Sequence, residues 1–174
     1  TPEGISKSIG LGTISFAQIY SQCKPDLIVV LGDRYEMYSS VLAALPFKIP
    51  VAHIQGGSVT EGAIDDALRH SITKMSHIHF VSTKEYARRV IQMGEEPDRV
   101  HVTGSPTLDN LLQIELLSRD EIRNDFGLQL SEEFLLVTYH PVTLEYEDVT
   151  WQVKELLCAL EKLNIQTIFT MPNS

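Results

Sequence analysis

The chain has few cysteines, no basic cluster and no long apolar run, and each shortage removes a class of function. Two cysteines in 174 residues, Cys23 and Cys158, lie far apart. They make neither a disulfide framework nor a metal or redox spacing, and they fit a reduced, cytoplasmic protein. Fourteen Lys and Arg against 23 Asp and Glu leave a formal net charge of -9. No Lys/Arg cluster exceeds a pair, so no nucleic-acid partner is expected. An anionic ligand stays open, because a phosphate site needs only a few local donors and a helix N-terminus. No apolar run reaches the ~20 residues that span a bilayer, and no signal segment opens the chain; no membrane partner is expected. None of the six histidines stands at a zinc-type spacing, so no metal and no cofactor is expected. Gly10 and Gly12 precede no strand-to-helix turn, which removes the glycine-rich nucleotide fingerprints.

What is present is an alternation. Short apolar runs at 26–31, 51–54, 77–82, 99–104, 134–139 and 166–171 are too short for buried helices and read as strands. Helical patterns lie between them at Tyr35–Leu45, Ile64–Met75, Lys84–Met93, Thr107–Leu112, Arg119–Phe126 and Thr150–Leu163. Such an order predicts an α/β fold with a parallel, doubly wound sheet covered on both faces. Gly94 closes its helix as a C′ residue. Periodicity is weakest between Leu112 and Glu133, which places a domain boundary near Leu116, with Ser118 as N-cap and Glu121 as its capping-box partner. The chain opens on Thr1 and stops at MPNS, directly after an apolar strand, so a piece of a larger protein is expected.

In open parallel sheets, ligands bind beyond the carboxyl ends of the strands. The residues there are Gly32, Asp33 and Arg34, then Gln55, Gly56 and Gly57, then Ser82 and Thr83, then Gly104, Ser105 and Pro106, then His140 and Pro141, and finally Asn173. Polar strand-end loops occur in any fold, so the plain alternative is a set of connectors. Asp33 can act as a base or orienter, and Arg34 can grip a phosphate in two-pronged fashion; a local Asp33–Arg34 ion pair is the bland reading. Asp65 and Arg69 sit four apart on a helix, as do Asp66 and His70, so each pair can meet on one helical face. Glu61 can be a first-turn acid or a site carboxylate, and the spacing does not choose. His77, His79 and His101 fall within strands and read as structural; His53 is ambiguous.

Four stretches then carry a resemblance: LGDRYE at 31–36, HIQGGSVTEGAIDDALRHSITKMSHIHFVST at 53–83, VTGSPTLDNL at 102–111 and LVTYHPVT at 136–143. Together they resemble the hydrolysing UDP-N-acetylglucosamine 2-epimerases of sialic and related nonulosonic acid synthesis. The resemblance implies two Rossmann-like domains in the glycosyltransferase-B arrangement, with residues 1–115 as the latter part of the first and 116–174 as the start of the second. It implies a UDP-sugar substrate, elimination of UDP followed by hydration to N-acetylmannosamine, and a homodimer. Asp33 and Asp65 match acidic active-site positions, Arg69 a substrate-site arginine and His140 the active-site histidine. Arg34 matches a nucleotide-contacting arginine and Asn173 a sugar-contacting asparagine. Gln55 and Ser58 stand where relatives commonly carry a glutamate; Gln55 can orient a hydroxyl but cannot take a proton. The alternatives are a UDP-diacetamido-trideoxyhexose as substrate, the non-hydrolysing branch, or an inactive nucleotide-sugar-binding fragment.

Overall fold

A computed structural model describes residues 1–141 and 148–171. The chain forms two compact units, Thr1–Leu112 and a second beginning at Gln113.

The first unit opens with helix α1, Pro2–Cys23, in a region where the sequence pattern predicts no element. Gly4, Gly10, Gly12 and several β-branched residues weaken its intrinsic propensity. The helix forms because its ends and its packing compensate. Thr1 caps the N-terminus through Oγ1 to the Gly4 amide at 3.1 Å, and Lys24 closes the other end in the left-handed conformation. Gly12 is where α1 approaches helix α2, Tyr35–Phe47: a Cβ there would stand 3.0 Å from the Ser39 side chain. Further along, the Tyr20 hydroxyl meets Ser40 Oγ at 2.6 Å. Gly12, one of the glycines that argue against a helix, thus permits a contact that stabilises it.

Strands β1 (Ile28–Leu31), β2 (Val51–Ile54), β3 (Ile78–Val81) and β4 (Val100–Val102) form a parallel sheet in simple sequential order. Helices α2, α3 (Ile64–Met75) and α4 (Lys84–Gln92) connect them. Right-handed crossovers that always step the same way place all three helices on one face. Burial follows this pattern. Val30, His53, His79 and Val81 point to the covered side and are buried, whereas Val29 and Leu31 are 59% and 51% exposed. On the other face the described residues leave the β1 edge open, while Ala52 of β2 on that face is buried and Ile54, Ile78 and Phe80 are half-buried. The core gathers Tyr20, Val41, Ala44, Ile49, Val51 and Ile72 between helices and sheet. Val41, Val51 and Ile72 are fully buried, each contributing about 1.5–3 kcal/mol of apolar transfer.

Helix α5, Pro106–Gln113, leads toward the second unit. There α6, Arg119–Phe126, starts on the expected capping box: Ser118 Oγ accepts from the Glu121 amide and the Glu121 carboxylate accepts from the Ser118 amide. Strands β5 (Phe134–Val137) and β6 (Gln166–Phe169) pair in parallel, with helix α7, Val149–Leu163, between them in sequence. No helix among the described residues is long and apolar enough to cross a membrane.

Candidate functional site

The carboxyl ends of β1 and β2 meet the N-terminal turn of α3, and Arg69 ties them together. Its side chain is 5% exposed and reaches three segments at once. Nη2 donates to the Asp33 carboxylate after β1 and to Thr60 Oγ1 at 2.8 Å. Nη1 donates to the Ser58 carbonyl at 3.0 Å and lies 3.5 Å from Asp66 Oδ1. Arg69 Nε is buried with no protein partner among the described residues. A guanidinium suits this place because its planar fork serves several acceptors together and stays charged. The spacing reading of an Asp65–Arg69 pair gives way to this longer-range contact.

Asp66 takes the local role. Its Oδ1 accepts from the Thr60 amide at 2.9 Å and lies 3.7 Å from His70 Nε2. Asp65, one residue earlier on the first turn of α3, has no side-chain partner among the described residues and is partly exposed. It is a carboxylate in the first turn of a helix, where the dipole favours negative charge. Arg34 turns away from Asp33: Nε and Nη2 grip Glu36 at 3.1 and 3.0 Å. The pairing raises the Arg34 pKa and lowers that of Glu36, in each case mainly through their hydrogen bond. With 63% of its side chain exposed, Arg34 can exchange Glu36 for another anion at little cost.

The glycine turn after β2 is held by backbone geometry. Gln55 adopts φ 68°, a left-handed conformation uncommon for a residue with a Cβ. Its amide donates to the Phe80 carbonyl at 2.8 Å and its side-chain Nε2 to Ser105 Oγ at 3.0 Å. The side chain thereby joins the strand ends of β2 and β4. Gly57, at φ 83°, lies so close to α4 that a Cβ would stand 2.6 Å from the Tyr86 carbonyl oxygen. Arg89 of α4 donates to the Gly57 carbonyl. Sequence reasoning missed Arg89, because its partner lies thirty-two residues away and no local spacing marks it.

Beneath the turn, His53 is fully buried. Its Nε2 lies 2.8 Å from the Gly32 carbonyl oxygen, and its Nδ1 lies 3.2 Å from Thr73 Oγ1. Burial pushes the imidazole pKa down to about 4, so the ring is neutral near pH 7. His79, its register partner on β3, is also buried and its pKa is lowered, again chiefly by burial. Glu95 meets its Nε2 at 3.1 Å and Lys74 at 2.5 Å. His77 accepts from the Val51 amide, and His101 stacks on Phe80. His77 stands just before β3 and not within it as expected, and all three histidines have structural surroundings.

His140 belongs to the second unit, in the exposed loop after β5. That loop is anchored by the preceding Tyr139, whose hydroxyl donates to Gln152 of α7 at 2.6 Å. Asn173 lies outside the described residues. The structure thus brings Asp33, Asp65, Arg69 and Gln55 to one end of the first sheet, with Arg34 beside them and His140 in the other unit. A hollow of about 450 Å³ lined by Pro50, His77, Ile78, Asp98, Arg99 and His101 opens at the opposite, amino end of the strands. It lies away from these residues. Among the described residues no group of His, Cys, Asp and Glu is arranged to hold a metal ion.

Comparison with known proteins places relatives beside this geometry. The model of the family described as UDP-N-acetylglucosamine 2-epimerase matches residues 1–174. A Campylobacter jejuni protein named GDP/UDP-N,N'-diacetylbacillosamine 2-epimerase (hydrolyzing) is 41% identical over 171 residues, covering 98% of this chain and 44% of the relative. A Legionella pneumophila protein named UDP-N,N'-diacetylbacillosamine 2-epimerase (hydrolyzing) is 35% identical over 170 residues, with 98% and 45% covered. The chain therefore spans less than half the length of both relatives. Among solved structures, UDP-GlcNAc 2-epimerase of Methanocaldococcus jannaschii, in complex with UDP-GlcNAc and UDP, superposes with a TM-score of 0.79 over 97% of this chain and 48% of that one. At 22% identity this likeness shows the shared fold.

Proposed function

The chain belongs to the UDP-N-acetylglucosamine 2-epimerase family, and from that premise we propose that the protein carrying it is a hydrolysing 2-epimerase of a UDP-linked 2-acetamido sugar. The observation that carries the reading is the match across 98% of the chain to a relative whose name specifies hydrolysis. The arrangement of Asp33, Asp65 and Gln55 around one end of a parallel sheet supports it chemically.

In the proposed reaction a base removes the proton from C2 of the sugar while the bond between C1 and the UDP oxygen breaks, and UDP leaves with the bonding electrons. Water then adds across the new double bond. Its hydroxyl goes to C1, and a proton returns to C2 from the opposite face. Such a path needs carboxylates and an imidazole for proton transfer and cations for the departing diphosphate. We assign proton transfer to Asp33, Asp65 and His140, and diphosphate contact to Arg34. Arg69 stands behind Asp33 and fixes the orientation of its carboxylate. Gln55 and Asn173 orient sugar hydroxyls, since an amide donates and accepts but takes no proton at neutral pH.

For the sugar, the names of the Campylobacter and Legionella relatives favour N,N'-diacetylbacillosamine, linked to UDP in the Legionella name and to GDP or UDP in the Campylobacter name. The second reading is UDP-N-acetylglucosamine, favoured by the family's own description and by the motif resemblance. The test is to incubate the full-length protein with each UDP-sugar in turn and follow free UDP and the released sugar. Release of UDP with a sugar inverted at C2 is the expected result, and the faster substrate identifies the sugar. Epimerised UDP-sugar without free UDP would overturn hydrolysis. The assembly we propose is a homodimer, which light scattering on the same protein checks.

A further inference from the structure

We propose that His53 is a positioning residue for Asp33: its Nε2–H holds the Gly32 carbonyl and thereby aims the neighbouring carboxylate at Arg69. The role of Asp33 itself rests on the function proposed above.

The hydrogen-bond logic is closed by what each atom can do. The Gly32 carbonyl only accepts, so the Nε2 that lies 2.8 Å from it carries the proton. A neutral ring then leaves Nδ1 as an acceptor, and the atom facing it is Thr73 Oγ1 at 3.2 Å. Thr73 has one hydroxyl proton and two acceptors in reach, Nδ1 and the Arg69 carbonyl at 3.0 Å. That carbonyl already receives the helical amide four residues on, whereas Nδ1 has no other donor. The hydroxyl thus bridges the two, 3.0 Å from the Arg69 carbonyl and 3.2 Å from Nδ1, and ties the ring to α3. Gly56 completes the fit: a Cβ there would stand 3.0 Å from both His53 Nδ1 and Thr73 Oγ1. The glycine leaves room for the contact.

The chain of bonds runs from α3 through Thr73 and His53 into the turn after β1. Arg69 lies one helical turn before Thr73 and grips Asp33 directly. The Gly32–Asp33 turn is therefore fixed twice from one helix, once at its backbone and once at its carboxylate. Gly32 has φ 78° and nothing within 4 Å of a built Cβ. The Gly32 amide donates to the Ile54 carbonyl at 2.9 Å, and the histidine adds the restraint on the other side of the residue, at its carbonyl. Its burial also keeps it away from substrate, which makes proton exchange with a sugar an unsuitable role.

The experiment uses the full-length protein with His53→Leu, His53→Gln, Thr73→Val and Thr73→Ser. Crystal structures of the variants report whether Asp33 keeps its contact with Arg69, and this reading needs no turnover. We expect the contact to be displaced in His53→Leu and Thr73→Val and kept in His53→Gln and Thr73→Ser, whose amide and hydroxyl can still donate. In steady-state assays the displaced variants should lose about tenfold to a hundredfold in kcat. Their KM should stay within about threefold, the split expected when orientation and not binding is lost. The conservative variants should recover most of the rate. If Asp33 stays on Arg69 in His53→Leu, or in Thr73→Val should the leucine variant not fold, the inference falls. A wild-type protein that turns over neither UDP-sugar removes the proposed function, while the crystal structures still decide the restraint.

Discussion

Asp33 accepts a hydrogen bond from Arg69, which stands thirty-six residues further along the chain on a different element. The contact joins the end of β1 to the first half of α3, and it turns one buried cation into the common partner of an acid, a hydroxyl and a carbonyl.

Replacing that cation should be costly. Arg69→Ala leaves Asp33, Thr60 and the Ser58 carbonyl without their donor, and removing one partner of a buried pair costs about 3 kcal/mol or more. Asp33 retains some solvent contact, with 25% of its side chain exposed, which keeps the expected loss near the lower bound. Arg69→Lys should recover only part of it, because an ammonium cannot reproduce the fork. Urea denaturation of the full-length variants measures both.

The glycines of the strand-end turns separate backbone strain from steric clash. Gly32→Ala and Gly57→Ala both force a side chain into the left-handed region, at about 1–2 kcal/mol. Gly57→Ala adds a collision with the Tyr86 carbonyl at 2.6 Å, whereas Gly32→Ala meets nothing within 4 Å. The expected order of midpoint denaturant concentrations is wild type, then Gly32→Ala, then Gly57→Ala. Equal midpoints for the two variants would contradict the close approach to α4.

Acid should destabilise the first unit through His53. In the unfolded chain this histidine titrates near 6.5, and in the folded chain at about 4. Between those values the unfolded chain binds the extra proton, so falling pH draws the equilibrium toward it. The contribution is complete above about pH 6.5 and is lost as pH falls to about 4, amounting to about 3 kcal/mol. His79, lowered in the same direction, steepens the slope. Denaturation curves at several pH values should show it, and His53→Gln should flatten it.

Under the proposed reaction, His140→Ala and Asp65→Asn should each cut turnover of the full-length protein by about a hundredfold or more. Both side chains lie outside the core: His140 is exposed and Asp65 partly so. The thermal midpoint should therefore move little. Near-normal rates in either variant would misplace the site.

The strand and helix alternation was legible because periodicity and strand length are local properties, and Ile64–Met75 and Arg119–Phe126 were read to the residue. Helix α1 was hidden because its glycines lower propensity, while the contact that Gly12 allows with Ser39 is tertiary. The polar ends of the strands marked Asp33 and Gln55 correctly as strand-end residues. The partner of Arg69 was hidden for the opposite reason: Asp65 offers a local acid at helical spacing, and only the fold brings Asp33 closer. His53 stayed ambiguous because burial and hydrogen-bond partners, which define it, leave no trace in spacing.

The sequential strand order β1-β2-β3-β4 has a kinetic consequence. Every pairing in that sheet closes a loop of one helix and its turns, so no strand must wait for a distant segment to arrive. Parallel pairing is intrinsically slow, and single-helix crossovers keep its loop-closure cost low for a sheet of this kind. The sheet can therefore grow one strand at a time behind the ribosome, each new βαβ unit docking on an edge already formed.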